Sequence, residues 1–199
     1  MTESSYKPGE LQAVAVFCGS SLGAREAYAD AAQALGVEMA RRGIAAVYGG
    51  ANRGLMGAFA NACLEAGGSV TGVLPRALKS LACAHKDLTA IHLVDTMHER
   101  KAMMAGMVDA FIALPGGFGT LDELFEAATW SQLGIHAKPC GLLNVEGYFT
   151  YLAAFLDHIT EERLVRPEHR TLITCSESPS ALLDALARFV CPRCPKFID

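Results

Sequence analysis

The chain has 199 residues, 51% of them hydrophobic and 19% charged, with a formal net charge of −4. It is too apolar for intrinsic disorder, and too acidic to coat nucleic acid or acidic lipid through bulk positive charge. Its length suits one domain whose core requires no disulfide or structural metal.

Short apolar runs alternate with helix-length amphipathic runs along the chain. The polar stretch 1–10 reads as a flexible lead-in without the basic-then-apolar order of a secretory signal. Ala13–Cys18 is a predicted buried strand, ended by Gly19-Ser20-Ser21. Arg25–Arg41 is a predicted helix stopped by Gly43. Strand Ile44–Tyr48 runs into Gly49-Gly50, helix Leu55–Ala66 into Gly67-Gly68, and strand Val70–Leu74 into Pro75. Arg76–Leu88 carries no clear period. Beyond it come strand Ala90–Val94, helix Thr96–Met107, strand Ala110–Leu114, the turn Pro115-Gly116-Gly117-Phe118-Gly119, and helix Leu121–Leu133. Strand Gly141–Asn144, helix Tyr148–Glu162, strand Leu172–Thr174 and helix Ala181–Phe189 complete the order. Strands apolar on both faces and separated by helices predict an α/β fold: a doubly wound, mostly parallel sheet with helices on both faces. One domain over 11–190, followed by a tail at 191–199, is the expected organisation.

In such a sheet ligands sit at the C-terminal edge of the strands. Three turns rich in glycine and small residues fall there: Gly19-Ser20-Ser21, Gly49 to Gly54, and Pro115 to Thr120. Glycine allows close backbone approach, and a following helix N-terminus offers unpaired N–H groups to an anion. Three together point to a phosphorylated ligand, although turns between strand and helix use glycine for other reasons too. The dinucleotide pattern G-x-G-x-x-G fails at Gly49, since position 51 is Ala, and at Gly117, since position 122 is Asp. No G-K-[ST] or H-E-x-x-H occurs, so P-loop and zinc-hydrolase readings lose support.

Arg100 and Lys101, early in their helix, supply charge that a phosphate would use. Thr120 and Glu123 have capping-box spacing, which predicts Glu123 in the first helical turn, facing the ligand's sugar rather than its phosphate. The seven cysteines are scattered, fitting reduced thiols and a cytoplasmic location. Cys191 and Cys194 are the one close pair and lack two further ligands, so no metal is expected.

Several runs occur together in order: Gly49-Gly50…Gly54-Leu55-Met56-Gly57, Met97-His98-Glu99-Arg100-Lys101, and Pro115-Gly116-Gly117-Phe118-Gly119-Thr120-Leu121-Asp122-Glu123. With Thr129 to Pro139 and Leu142 to Tyr148, they make the chain resemble the Lonely Guy (LOG) family over about residues 12–190. The resemblance implies a modified Rossmann fold, a homodimer and no cofactor. It implies hydrolysis of the N-glycosidic bond of purine nucleoside 5′-monophosphates, adenine or N6-modified adenine, to free base and ribose 5-phosphate. It makes Arg100 and Glu123 catalytic. It gives phosphate binding to Gly116, Gly117, Gly119 and Thr120, with Lys101 assisting; Met97 and, from the other two glycine turns, Gly19, Ser20, Gly49 and Gly50 are further candidates for nucleotide binding. One departure is the stretch before His85, Leu81-Ala82-Cys83-Ala84, which lacks the carboxylate many relatives carry. Relatives are also often labelled lysine decarboxylases, yet no lysine here stands in a recognisable pyridoxal context. A non-catalytic nucleotide or cofactor carrier on the same fold is the alternative.

Overall fold

The computed structural model describes residues 9–78 and 84–192. Seven strands form one sheet: β1 (Ala13–Phe17), β2 (Ala45–Tyr48), β3 (Val70–Pro75), β4 (Ala90–Val94), β5 (Ala110–Ala113), β6 (Cys140–Leu143) and β7 (Ile173–Ser176). Their order is β4-β3-β2-β1-β5-β6-β7, and every pairing is parallel. The doubly wound α/β architecture expected from the alternation is therefore present.

Alternation along β1 shows why the strands read as apolar throughout. Val14 and Val16 belong to one core layer and Ala15 and Phe17 to the other, so neither face meets water. The first layer packs under α1 (Glu26–Arg41), α2 (Gly54–Glu65) and α7 (Pro179–Ala187). The second packs under α3 (Met97–Gly106), α4 (Phe118–Gln132) and α5 (Thr150–Glu161). A four-residue helix, α6 (Pro167–Arg170), precedes β7 and was not anticipated.

The chain builds outward from β1 through β2 and β3 to β4, then returns to the other side of β1 with β5. The order reverses between β1 and β5, and a crevice opens at the C-terminal edge of such a switch point. There Gly19 N–H donates to Pro115 O at 3.0 Å, joining the turns that leave the two strands.

Several helix starts differ from expectation. Helix α4 begins at Phe118 with Gly117 as N-cap, three residues earlier than predicted, so Thr120 lies inside the first turn and Glu123 in the second. No Thr120–Glu123 capping box forms. That spacing is used at α3 instead: Thr96 Oγ1 accepts from Glu99 N–H at 3.1 Å, while Glu99 Oε2 accepts from Asp95 N–H at 2.9 Å. Helix α5 begins at Thr150, not Tyr148, because a 3₁₀ turn over Val145–Gly147 intervenes. Within the unreadable stretch, Arg76–Leu88, a 3₁₀ turn spans Arg76–Leu78 and Ala84 bridges Ala51. The departure at 81–83 lies outside the described residues. So do most of the N-terminal lead-in and the tail, including Cys194.

Candidate active site

Arg100 and Glu123 meet at the switch point. Arg100 Nη1 donates to Glu123 Oε1 at 2.6 Å, with both side chains more than nine-tenths buried. Arg100 Nε donates to Val73 O at 3.0 Å, fixing the plane of the guanidinium. Its Nη2 lies over Gly49, where an added Cβ would stand 2.4 Å away. Gly49 is thus the floor on which Arg100 rests. Nη2 is the corner of the fork with no acceptor among the described residues.

Burial is the largest influence on Glu123 and pushes its carboxyl above the usual carboxylate range, while the charge and hydrogen bond of Arg100 pull the other way. Cys18, at the end of β1, is also buried, and its thiol is pushed up by burial and then by the Glu123 charge. It has no thiolate character to offer.

The three glycine turns divide their labour. Gly19 spends both backbone groups on neighbours: its N–H reaches Pro115 O, and its C=O accepts from Leu55 and Met56 N–H at 3.1 and 3.4 Å. Those are orphan donors of α2, so the α2 N-terminus is closed by Gly19 rather than open to an anion. Gly54, at φ +54°, lies so close to Ser20 that a Cβ would sit 2.3 Å from its carbonyl carbon. Gly50 is buried and accepts from His85 N–H at 3.0 Å. Gly49 and Gly50 therefore serve packing. Ser20 is exposed beside them.

The turn after β5 differs. Gly117, Phe118 and Gly119 are exposed, and their N–H groups find no acceptor among the described residues. A Cβ at Gly117 or Gly119 would meet nothing within 4 Å. Gly116 backs this turn against Thr120, whose side chain would collide with any Cβ there. The free N–H groups at the start of the 15-residue helix α4 make this the best anion seat of the three.

Lys101 is paired with carboxylates of α4. Its Nζ pairs with Glu126 at 2.9 Å and Asp122 at 3.2 Å, and its side chain is 12% exposed. Burial opposes the ammonium, and the two carboxylates more than offset this and hold its pKa above the ordinary value. Lys101 acts as a strut between α3 and α4. Met97 is half-exposed at the first position of α3. The separation of Arg100 from Lys101 follows from helix geometry, since adjacent residues point about 100° apart.

Among the described residues no group of three His, Cys, Asp or Glu side chains is placed to hold a metal, and no helix is long and apolar enough to cross a membrane.

A family model described as "Possible lysine decarboxylase" matches residues 56–186. The rice protein named probable cytokinin riboside 5′-monophosphate phosphoribohydrolase LOGL9 is 47% identical over 177 residues, 89% of this chain and 78% of its own. The Arabidopsis thaliana cytokinin riboside 5′-monophosphate phosphoribohydrolase LOG5 is 46% identical over 176 residues, 88% of this chain and 77% of its own. Among solved structures, the molybdenum cofactor carrier protein of Chlamydomonas reinhardtii matches with a TM-score of 0.67 over 89% of this chain and 99% of that one. At 19% identity, that match shows a shared fold and nothing more. Identity over most of both chains, with the motifs in order around one crevice, places this chain in the Lonely Guy (LOG) family.

Proposed function

We propose that this protein is an N-glycosidase that hydrolyses purine nucleoside 5′-monophosphates, carrying adenine or an N6-modified adenine, to free base and ribose 5-phosphate. The observation that carries the proposal is the buried Arg100–Glu123 pair, one helical turn from the open N–H groups of Gly117, Phe118 and Gly119. The names of the relatives point to the same substrate class.

Breaking the C1′–N9 bond sends its electron pair to the purine, which takes up a proton, and builds positive charge on the ribose. Glu123 as carboxylate offsets that charge and accepts a proton from the attacking water. A guanidinium acts through charge and hydrogen bonds and not as a proton donor, and that is the part given to Arg100. It fixes Glu123 through Nη1 and offers Nη2 to the substrate. The phosphate, seated on the α4 N-terminus, holds C1′ over Glu123, so binding energy remote from the reacting bond is spent on alignment. No step requires a metal or organic cofactor. Gly117, Gly119 and Thr120 make the seat, with Gly116 behind it.

A homodimer in the cytoplasm fits this reading. Phe118, 94% exposed at the mouth of the crevice, is the kind of side chain a second copy would cover. Light scattering at micromolar protein is expected to give twice the chain mass. The deciding experiment incubates the protein with AMP, N6-isopentenyl-AMP and adenosine and resolves the free bases. Release from either nucleotide, with adenosine far poorer, is the expected result. Binding without release would favour a carrier.

A further inference from the structure

Tyr148 has none of the roles assigned above and lies on the turn between β6 and α5. Its hydroxyl donates to Gly116 O at 2.7 Å, across 32 residues of chain. We propose that Tyr148 is a positioning residue for the anion seat: by holding the Gly116 carbonyl it aims the Gly117 N–H into the crevice. The inference rests on the phosphate reading of that seat and adds the residue that shapes it.

The physical reason is the planar trans peptide. Carbonyl oxygen and amide hydrogen of one peptide unit point to opposite sides, and no described peptide bond is cis. With Gly116 O fixed by Tyr148, the N–H of Gly117 faces away from Tyr148. The preceding unit is fixed in the same manner, because Pro115 O accepts from Gly19 N–H. Successive carbonyls are tied back, and the donors on their far sides find no acceptor among the described residues. Without the tyrosine hydroxyl, two glycines in series have the freedom to rotate that peptide.

Tyr148 is itself held. Its ring meets Tyr28 edge-on at 5.5 Å and Phe149 at 4.9 Å. Asn144 Oδ1 accepts from Phe149 N–H at 2.6 Å, and Glu146, left-handed at φ 47°, pairs with Arg25 at 2.8 Å. The turn carrying the hydroxyl is therefore tied to the start of α1, by a ring contact at Tyr28 and an ion pair at the N-cap residue Arg25.

The test titrates ribose 5-phosphate and adenosine into wild type and Tyr148→Phe by calorimetry, beside steady-state kinetics with AMP. Phenylalanine keeps both ring contacts and removes only the donor. Ribose 5-phosphate should bind roughly three- to tenfold more weakly, the loss of one hydrogen bond. KM for AMP should rise by a similar factor with kcat within about twofold, and adenosine binding should match wild type. Tyr148→Leu, lacking ring and hydroxyl, should weaken ribose 5-phosphate at least as much. Equal ribose 5-phosphate affinity in wild type and Tyr148→Phe overturns the proposal, as does weakening by Leu alone, or a wild type that binds no ribose 5-phosphate. A wild type that binds ribose 5-phosphate yet releases no base, with the Tyr148 effect intact, overturns the hydrolase reading and leaves this one standing.

Discussion

Two glycine-rich turns leave the same edge of the sheet, one after β2 and one after β5, and they are built for opposite ends. In the first, glycine removes a side chain so that protein can touch protein: Arg100 over Gly49, Ser20 against Gly54. Its helix start is stoppered by the Gly19 carbonyl. In the second, Gly117 and Gly119 face open space, and the N–H groups beside them are unspent. Glycine content is the same signal in both. What separates a packing turn from a binding turn is where the neighbouring carbonyls and amides go.

The contrast is sharpened most strongly by Glu123, which the packing turn orders through Arg100 and the binding turn serves with substrate. Glu123→Gln should lower kcat for base release by about 10² or more. The amide still accepts from Arg100 but leaves that buried cation uncompensated, so the melting temperature should drop by several degrees, with unfolding showing a loss of about 1–3 kcal/mol. Retained turnover would remove Glu123 from the chemistry. In the wild type, burial places the carboxyl above its ordinary value, so kcat/KM should rise with pH through a midpoint above the usual glutamate value of about 4.3. An acid limb at or below that value would contradict the assigned role.

Alanine at one glycine of each turn comes next. Gly49→Ala drives a Cβ into Arg100 Nη2, and kcat/KM should fall by roughly 10-fold or more as the guanidinium shifts by a fraction of an ångström. Gly119→Ala meets no neighbour and favours the helix by up to about 1 kcal/mol, so thermal stability should hold or rise. Its methyl crowds the seat, and KM for AMP should increase severalfold. If both substitutions act alike on kcat, KM and stability, the division between the turns is lost.

The smallest effect on activity is expected at the far edge of the sheet. His136 packs between Phe111 and Trp130, its Nδ1 accepting from Lys138 N–H and its buried Nε2 without a partner among the described residues. Burial lowers its pKa to about 4. The unfolded chain takes up this proton near 6.5 and the folded one only near 4, so stability is lost as pH falls through that window. His136→Phe should leave kcat unchanged and abolish about 3 kcal/mol of acid sensitivity between pH 7 and 4, measured by urea unfolding. Equal acid slopes in the two proteins would refute this.

Strands β1, β2, β3 and β5 were legible because each is largely apolar on both faces and closed by glycine or proline. The start of α4 was not: Gly117 and Gly119 look like loop, and Thr120–Glu123 mimics a cap that the helix, already under way, does not use. Arg100 and Glu123 were found through motif order, but their ion pair was not, because it depends on how α3 lies against α4. The partners of Lys101 were not, for the same reason. Nor was the role of Tyr148, which sits in a run that resembles the family but carries no local chemistry of its own.

The seating of Arg100 on Gly49 also binds three distant positions into one unit of inheritance. Any side chain at 49 calls for a shorter residue at 100. Any shorter residue at 100 strands a buried carboxylate at 123. Single substitutions at these sites each leave a fault that only a second can repair, so lineages should change them jointly or keep them all, whatever happens to the sequence between.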